Sequence, residues 1–166
     1  MGKVIKLECK ECGFSSNAFL GIGFLYPNVC EEILQNMKNG AFGETIKEAA
    51  NTVPGAAVHQ GKALFVCDNC GSWRTDDIID LCSPIEKTQR RKGRFCVANE
   101  CLDSVSYVMD SDIGDTYQII HSVEQKCTCC QQNMRAVKES KMFKLKLKCP
   151  NCNEKLAINE ACLDWD

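Results

Sequence analysis

Four Cys-x-x-Cys pairs punctuate this sequence: Cys9 with Cys12, Cys67 with Cys70, Cys127 with Cys130, and Cys149 with Cys152. Two residues between cysteines let a tight turn aim both sulfurs at one ion, while backbone N–H groups soften the thiolate charge. Two such turns complete a tetrahedron, so the four pairs predict two four-thiolate metal sites. Chain order suggests how they combine. Cys127, Cys130, Cys149 and Cys152 are close enough to close one short hairpin; Cys9, Cys12, Cys67 and Cys70 make the other set across a longer insert, which loop entropy tolerates. Four thiolates leave no open position for water or substrate, so the expected occupant is structural zinc, two ions per chain. Iron takes similar ligands in a rubredoxin-like site and remains the alternative, with electron transfer or thiol redox chemistry as its function.

Fourteen cysteines also suit a disulfide scaffold. The start of the chain argues against it, because MGKVIKLECK has no apolar signal core and no stretch approaches the roughly 20 apolar residues of a membrane span. Free thiols in a reducing cytoplasm are the expectation, with no membrane partner. At 166 residues the sequence suits two small domains. Domains below roughly 70–80 residues usually need metal, disulfides or assembly, and thiolate-bound zinc supplies on the order of 10 kcal/mol of folding free energy.

Charge is distributed unevenly. The formal net charge is −2, yet Lys126, Arg135, Lys138, Lys141, Lys144, Lys146 and Lys148 face Glu139 alone over residues 126–148, while 76–86 and the last residues are acidic. Solvated lysines on a strand face explain such a run in the bland reading; contact with phosphates or an acidic protein explains it in the functional one.

Residues Val4–Leu7 read as a strand delivering Cys9, and Gly13 suits the positive φ that a metal-binding turn needs. Gly21-Ile22-Gly23 lacks the full dinucleotide fingerprint. The apolar run Phe19–Tyr26 is better read as a lid or strand, or as a docking surface in a structural subunit. A helix begins near Asn28, with Val29, Ile33 and Met37 at helical spacing and Cys30 and Leu34 beside them, and stops at Gly40; a second follows over Glu44–Asn51 before Pro54. Ala63–Val66 leads into Cys67, and Trp73 stands where it can cover that turn. Ser83–Gly93 is polar and basic, a linker whose Arg90, Arg91, Lys92 and nearby Arg94 are candidate phosphate contacts. Strands are expected over Ser104–Met109 and Tyr117–Val123 around an Asp-rich turn that lacks the calcium-loop frame. Met142–Cys149 alternates Phe143, Leu145 and Leu147 against Lys144, Lys146 and Lys148, the period of a half-buried strand, and Lys155–Ile158 closes the sheet.

Six cysteines stand outside the pairs. Cys129 is an alternative ligand to Cys127 or Cys130, Cys30 falls on an apolar helix face, and Cys96 with Cys101 is a candidate for a third metal site, helped by Cys82 or Cys162. His59 and His121 belong to no nucleophile or metalloprotease pattern, and His121 reads as a core or interface residue. No enzymatic motif or small-molecule substrate site is evident.

Cys9-Lys-Glu-Cys12-Gly13, the Gly21–Pro27 run, Asn39-Gly40-x-x-Gly43, Pro54–Val58 and Val66-Cys67-Asp-Asn-Cys70-Gly71-x-Trp73 together resemble an uncharacterised family of small bacterial zinc-ribbon proteins over the first half of the chain. The second half is similar to the zinc-ribbon or rubredoxin-like superfamily in general, with Gln131 and Asn153 where glycine would follow the second cysteine. Both resemblances imply tetrathiolate zinc, and neither implies an activity. The expected architecture is α+β, with two small tetrathiolate zinc ribbons of short antiparallel strands, the first carrying an inserted helix pair. The expected domains are residues 1–82, a linker at 83–94, and residues 95–166. The expected function is a non-enzymatic adaptor or regulatory module that meets nucleic acid or an acidic protein through a basic face.

Overall fold

The structure, a computed structural model, describes residues 2–22, 27–85 and 106–165. Among these residues the chain is mixed α+β, with two helices and sheets of three and five strands. In chain order the elements are β1 (Gly2–Glu8), β2 (Ser15–Leu20), α1 (Pro27–Lys38), α2 (Glu44–Thr52), β3 (Ala57–Val66), β4 (Trp73–Pro84), β5 (Tyr107–Val108), β6 (Tyr117–Ser122), β7 (Arg135–Ala136) and β8 (Ala157–Trp165). Most of the 83–94 linker and the pair Cys96 and Cys101 lie outside the described residues.

The chain divides into two compact units, and neither is continuous in sequence. One is drawn from Met1–Phe24, Gly61–Ile78 and Glu124–Asp166; the other from Leu25–Gln60 and Ile79–Val123. This replaces the consecutive domains expected at 1–82 and 95–166. The physical reason is strand pairing: β8, from the end of the chain, lies antiparallel to β1 with Glu8 opposite Ala157 and Gly2 opposite Trp165. A terminal strand that completes the first strand's hydrogen bonds cannot belong to a separate C-terminal domain.

In the first unit β1 is the middle strand of the order β2-β1-β8. Its Ile5 and Leu7 are buried together with Leu64, Met142, Leu147 and Leu156, and Cys9 and Cys149 complete the same cluster. A second small cluster holds Ala63, Phe65, Met134, Cys67 and Cys127. The alternation seen at 142–149 does not make a strand. Glu139–Lys144 is a 3-10 helix, in which residues three apart eclipse, so Met142 and Leu145 turn inward and Phe143 is left 55 % exposed.

The second unit is built on a conventional apolar core. Cys30, Leu34 and Met37, all on the expected face, form the buried stripe of α1, with Ile33 packed at its edge and Val29 exposed. They meet Ile46 and Ala50 of α2 and Val58 and Leu81 of β3 and β4. Asn51 ties the helices, its side-chain amide donating to the carbonyls of Lys38 at 3.0 Å and Lys47 at 2.8 Å. Here β5 runs parallel to β3, with Val58 opposite Tyr107, and β6 runs antiparallel to β4, with Leu81 opposite His121. His121 is half-buried on that strand. Among the described residues no helix is long and apolar enough to cross a membrane.

Candidate metal centres

One local rule shapes all four cysteine turns. The N–H of the first cysteine donates to the carbonyl five residues on: Cys9 to Phe14, Cys67 to Ser72, Cys127 to Gln132 and Cys149 to Glu154, at 2.7–2.8 Å. The residue after the second cysteine donates back to the first cysteine's carbonyl: Gly13 to Cys9, Gly71 to Cys67, Gln131 to Cys127 and Asn153 to Cys149. That residue has positive φ in every case, 73° at Gly13, 75° at Gly71, 60° at Gln131 and 66° at Asn153. The turn therefore forms without glycine in its last two copies. Each second sulfur also receives a backbone N–H, from Phe14, Ser72, Gln132 or Glu154.

The turns combine differently from the expectation. Cys9 and Cys12 meet Cys149 and Cys152, while Cys67 and Cys70 meet Cys127 and Cys130, the ligand atoms of each set all lying within 4.8 Å of one another. The sheets explain why. Cys9 leaves β1 and Cys149–Cys152 precedes β8, so the β1–β8 pairing brings these two turns together. Cys67 leaves β3, and β7, just past Cys130, pairs with β3 through Phe65 opposite Ala136 and Val66 opposite Arg135. Arg135 adds a forked contact to Asp68 inside the facing turn, at 3.0 and 3.1 Å, which lowers the Asp68 pKa. Proximity in sequence was the wrong guide because both sets close through long-range strand pairs.

Nearest sulfurs lie 3.5 Å apart for Cys9–Cys152, Cys12–Cys149 and Cys70–Cys127, 3.4 Å for Cys67–Cys130 and 3.7 Å for Cys70–Cys130. Bonds of about 2.3 Å to a tetrahedral ion separate sulfurs by roughly 3.8 Å. The donor sets thus fit one ion each, and all the cysteines described in them are free of disulfides. In each turn the first cysteine is at most 3 % exposed, whereas Cys12, Cys70 and Cys152 are exposed. Each set consequently has a core side and a solvent side. Cys127 and Cys130 take the ligand positions in their turn, and Cys129, between them, is exposed and outside the set.

Thiolate character is unequal within the sets. Hydrogen bonds from the Ser72 side chain and backbone hold Cys70 down to about 6. Burial pushes Cys149 up, but the N–H groups of Asn151 and Cys152 bring it to about 7. At Cys67 the hydrogen bond from the Cys70 backbone is outweighed by burial and the Cys130 sulfur, which push it up to about 11. A cation that enters such a set displaces the remaining thiol protons.

Trp73 joins the two centres rather than covering its own. Its indole N–H donates to the carbonyl of Lys148, the residue before Cys149, at 2.8 Å, and its ring meets Phe14, just past Cys12, edge to face at 6.4 Å.

The remaining candidates scatter. Lys144, Lys146 and Lys148 are exposed in the first unit. Arg90, Arg91, Lys92 and Arg94 lie outside the described residues, so no placement links them to the lysines. Cys30 and Cys82 are buried in the second unit's cores. One cluster escaped the sequence: His59 Nδ1 lies 3.0 Å from Asp80 Oδ2, and Nε2 lies 2.7 Å from Asp110 Oδ1. Burial lowers the His59 pKa, but the two carboxylates outweigh it and raise it to about 9. Both ring nitrogens are occupied, which leaves this histidine neither a free base nor a metal ligand. No short motif encodes it, since the three residues are brought together only by β3, β4 and the turn after β5.

Comparison with known proteins finds no match: no family model, no curated protein and no solved structure aligns with the chain. What the fold and the sites define, among the described residues, is a cysteine-rich α+β chain with two tetracysteine groups that can each hold a metal ion, consistent with zinc-ribbon-like motifs.

Proposed function

We propose that this chain is a zinc-stabilised, non-enzymatic adaptor or regulatory module of the cytoplasm, related to the small bacterial zinc-ribbon proteins its sequence resembles. Zinc is held by Cys9, Cys12, Cys149 and Cys152 in one ribbon and by Cys67, Cys70, Cys127 and Cys130 in the other. The observation that carries this reading is the closure of two all-sulfur sets, each sized for a single tetrahedral ion with no position left for substrate. The partner is a nucleic acid or an acidic protein, met through Lys144, Lys146 and Lys148.

Elemental analysis of protein expressed without added metal tests the reading. Two equivalents of zinc in a colourless protein support it. Two equivalents of iron with reversible absorbance changes would transfer the same ligand sets to electron transfer and sink the adaptor reading.

A further inference from the structure

The first unit carries a group of exposed lysines with no carboxylate partner among the described residues. Among the described residues Lys6, Lys47, Lys62, Lys126, Arg74 and Arg135 each have a carboxylate partner. Lys10, Lys138, Lys141, Lys144, Lys146, Lys148 and Lys155 are exposed, and no ion pair joins them to a described residue. Lys148 and Lys155 even face one another across an antiparallel bridge. Like charges directly opposite are destabilising, and an anionic partner relieves them.

Within this field lies an open cleft of about 360 Å³. Lys10 and Glu11 of the first cysteine turn and Glu154 and Lys155 beyond the last form its polar edge, and Phe143 and Leu145 contribute apolar surface. Phe143 is a large side chain that the core does not use, at 55 % exposure, and it sits on the short helix that also carries Lys141 and Lys144. An isolated flat ring among lysines is the arrangement by which proteins hold single-stranded nucleic acid, with the ring stacking on a base and the ammonium groups tracking phosphates. The two glutamates disfavour an acidic peptide in the same cleft, yet they accept hydrogen bonds from the exocyclic amino groups of bases. A duplex keeps its bases stacked and cannot offer one.

We infer that this cleft takes an unpaired base of a single-stranded nucleic acid, stacked on Phe143, with adjoining phosphates on the surrounding lysines. The inference rests on the proposed binding role and names its ligand. Fluorescence anisotropy of the zinc-loaded full chain with a labelled deoxycytidine homopolymer tests it, with the same strand in duplex and polyglutamate as competitors. Binding is expected to favour the single strand. Phe143→Ala should weaken it about 5- to 100-fold with the salt slope unchanged, and Phe143→Trp should restore it. Lys144→Gln should reduce the log–log salt slope by about 0.7. Because Phe143 is largely exposed, circular dichroism and metal content of the alanine variant should match the parent. Wild-type affinity in Phe143→Ala would overturn the base site while leaving a basic binding face. Equal competition by duplex or polyglutamate would overturn it in favour of a general polyanion surface. No binding at low salt by protein that holds both ions would overturn the face itself and leave the metal reading standing.

Discussion

The two units share an apolar core and differ in what is added to it. The second buries Leu34, Met37, Val58 and Leu81 under a helix pair, an apolar core of ordinary kind. The first buries Ile5, Leu7, Leu64, Met142 and Leu156 in the same way, but Cys9 and Cys149 belong to that cluster and Cys67 and Cys127 to another, so the candidate ligands are themselves part of its cores. The comparison teaches that a tetracysteine set able to hold a metal ion can add to a small apolar core, since thiolate-bound zinc supplies folding free energy.

Chelation is the largest way to break that comparison. Removing both ions should cost the first unit on the order of 10 kcal/mol, enough to unfold it. Hydrogen exchange reads this directly: the amides of Cys9, Cys67, Cys127 and Cys149, protected by their turn hydrogen bonds, should exchange freely, while α1 and α2 amides keep protection. Equal loss in both units would end the distinction. Metal counting sharpens it further. Cys9→Ser and Cys149→Ser should each release the same ion, Cys67→Ser and Cys127→Ser the other, and Cys129→Ser neither. If Cys67→Ser emptied the set holding Cys9, the order suggested by the sequence would be right after all.

A core truncation tests the other side. Met37→Ala, at a fully buried position, should cost about 2–5 kcal/mol in the second unit, measured by denaturant titration, with two metal equivalents retained. Loss of metal in that variant would mean the two units do not rely on separate means.

What the sequence made legible divides along the same line. Local signals were read well: the Cys-x-x-Cys turns, β1 from the Val4–Leu7 alternation, α1 to its stop before Gly40, where φ is 90°, and α2 ahead of Pro54. Pairing was not, because the register of β1 on β8 joins residues at opposite ends of the chain and nothing local marks it. β4, a 12-residue strand, went unread because its acidic stretch Asp76–Asp80 masks the pattern. At Phe143 periodicity misled outright, since a period of two over a few residues does not exclude a tight helical turn.

The pH dependence of the second unit should be smaller than either effect. His59 has its folded pKa raised from 6.5 to about 9, so its pairing with Asp80 and Asp110 contributes fully below about 6.5 and is lost as pH rises through 9. Asp110 is lowered by the same contact, so its share is present above 3.8 and lost as pH falls below that. Chemical denaturation between pH 6 and pH 10 should show a loss of roughly 2 kcal/mol that His59→Gln abolishes. A slope that survives the substitution would assign it to another group.

The smallest effect isolates the turn from its metal. Gln131 and Asn153 occupy the position that Gly13 and Gly71 fill in the other two turns, all with positive φ. A side chain there meets its own backbone, a strain on the order of 1 kcal/mol for glutamine and less for asparagine, which tolerates this region. Gln131→Gly should therefore stabilise the zinc-loaded protein by up to about 1 kcal/mol and Asn153→Gly by less, since glycine's greater freedom in the unfolded chain offsets part of the gain. Tm at fixed free zinc measures both. Destabilisation by Gln131→Gly would mean that glutamine's side chain contributes to the turn more than its strained backbone costs, and that the four turns share a shape without sharing an energetic logic.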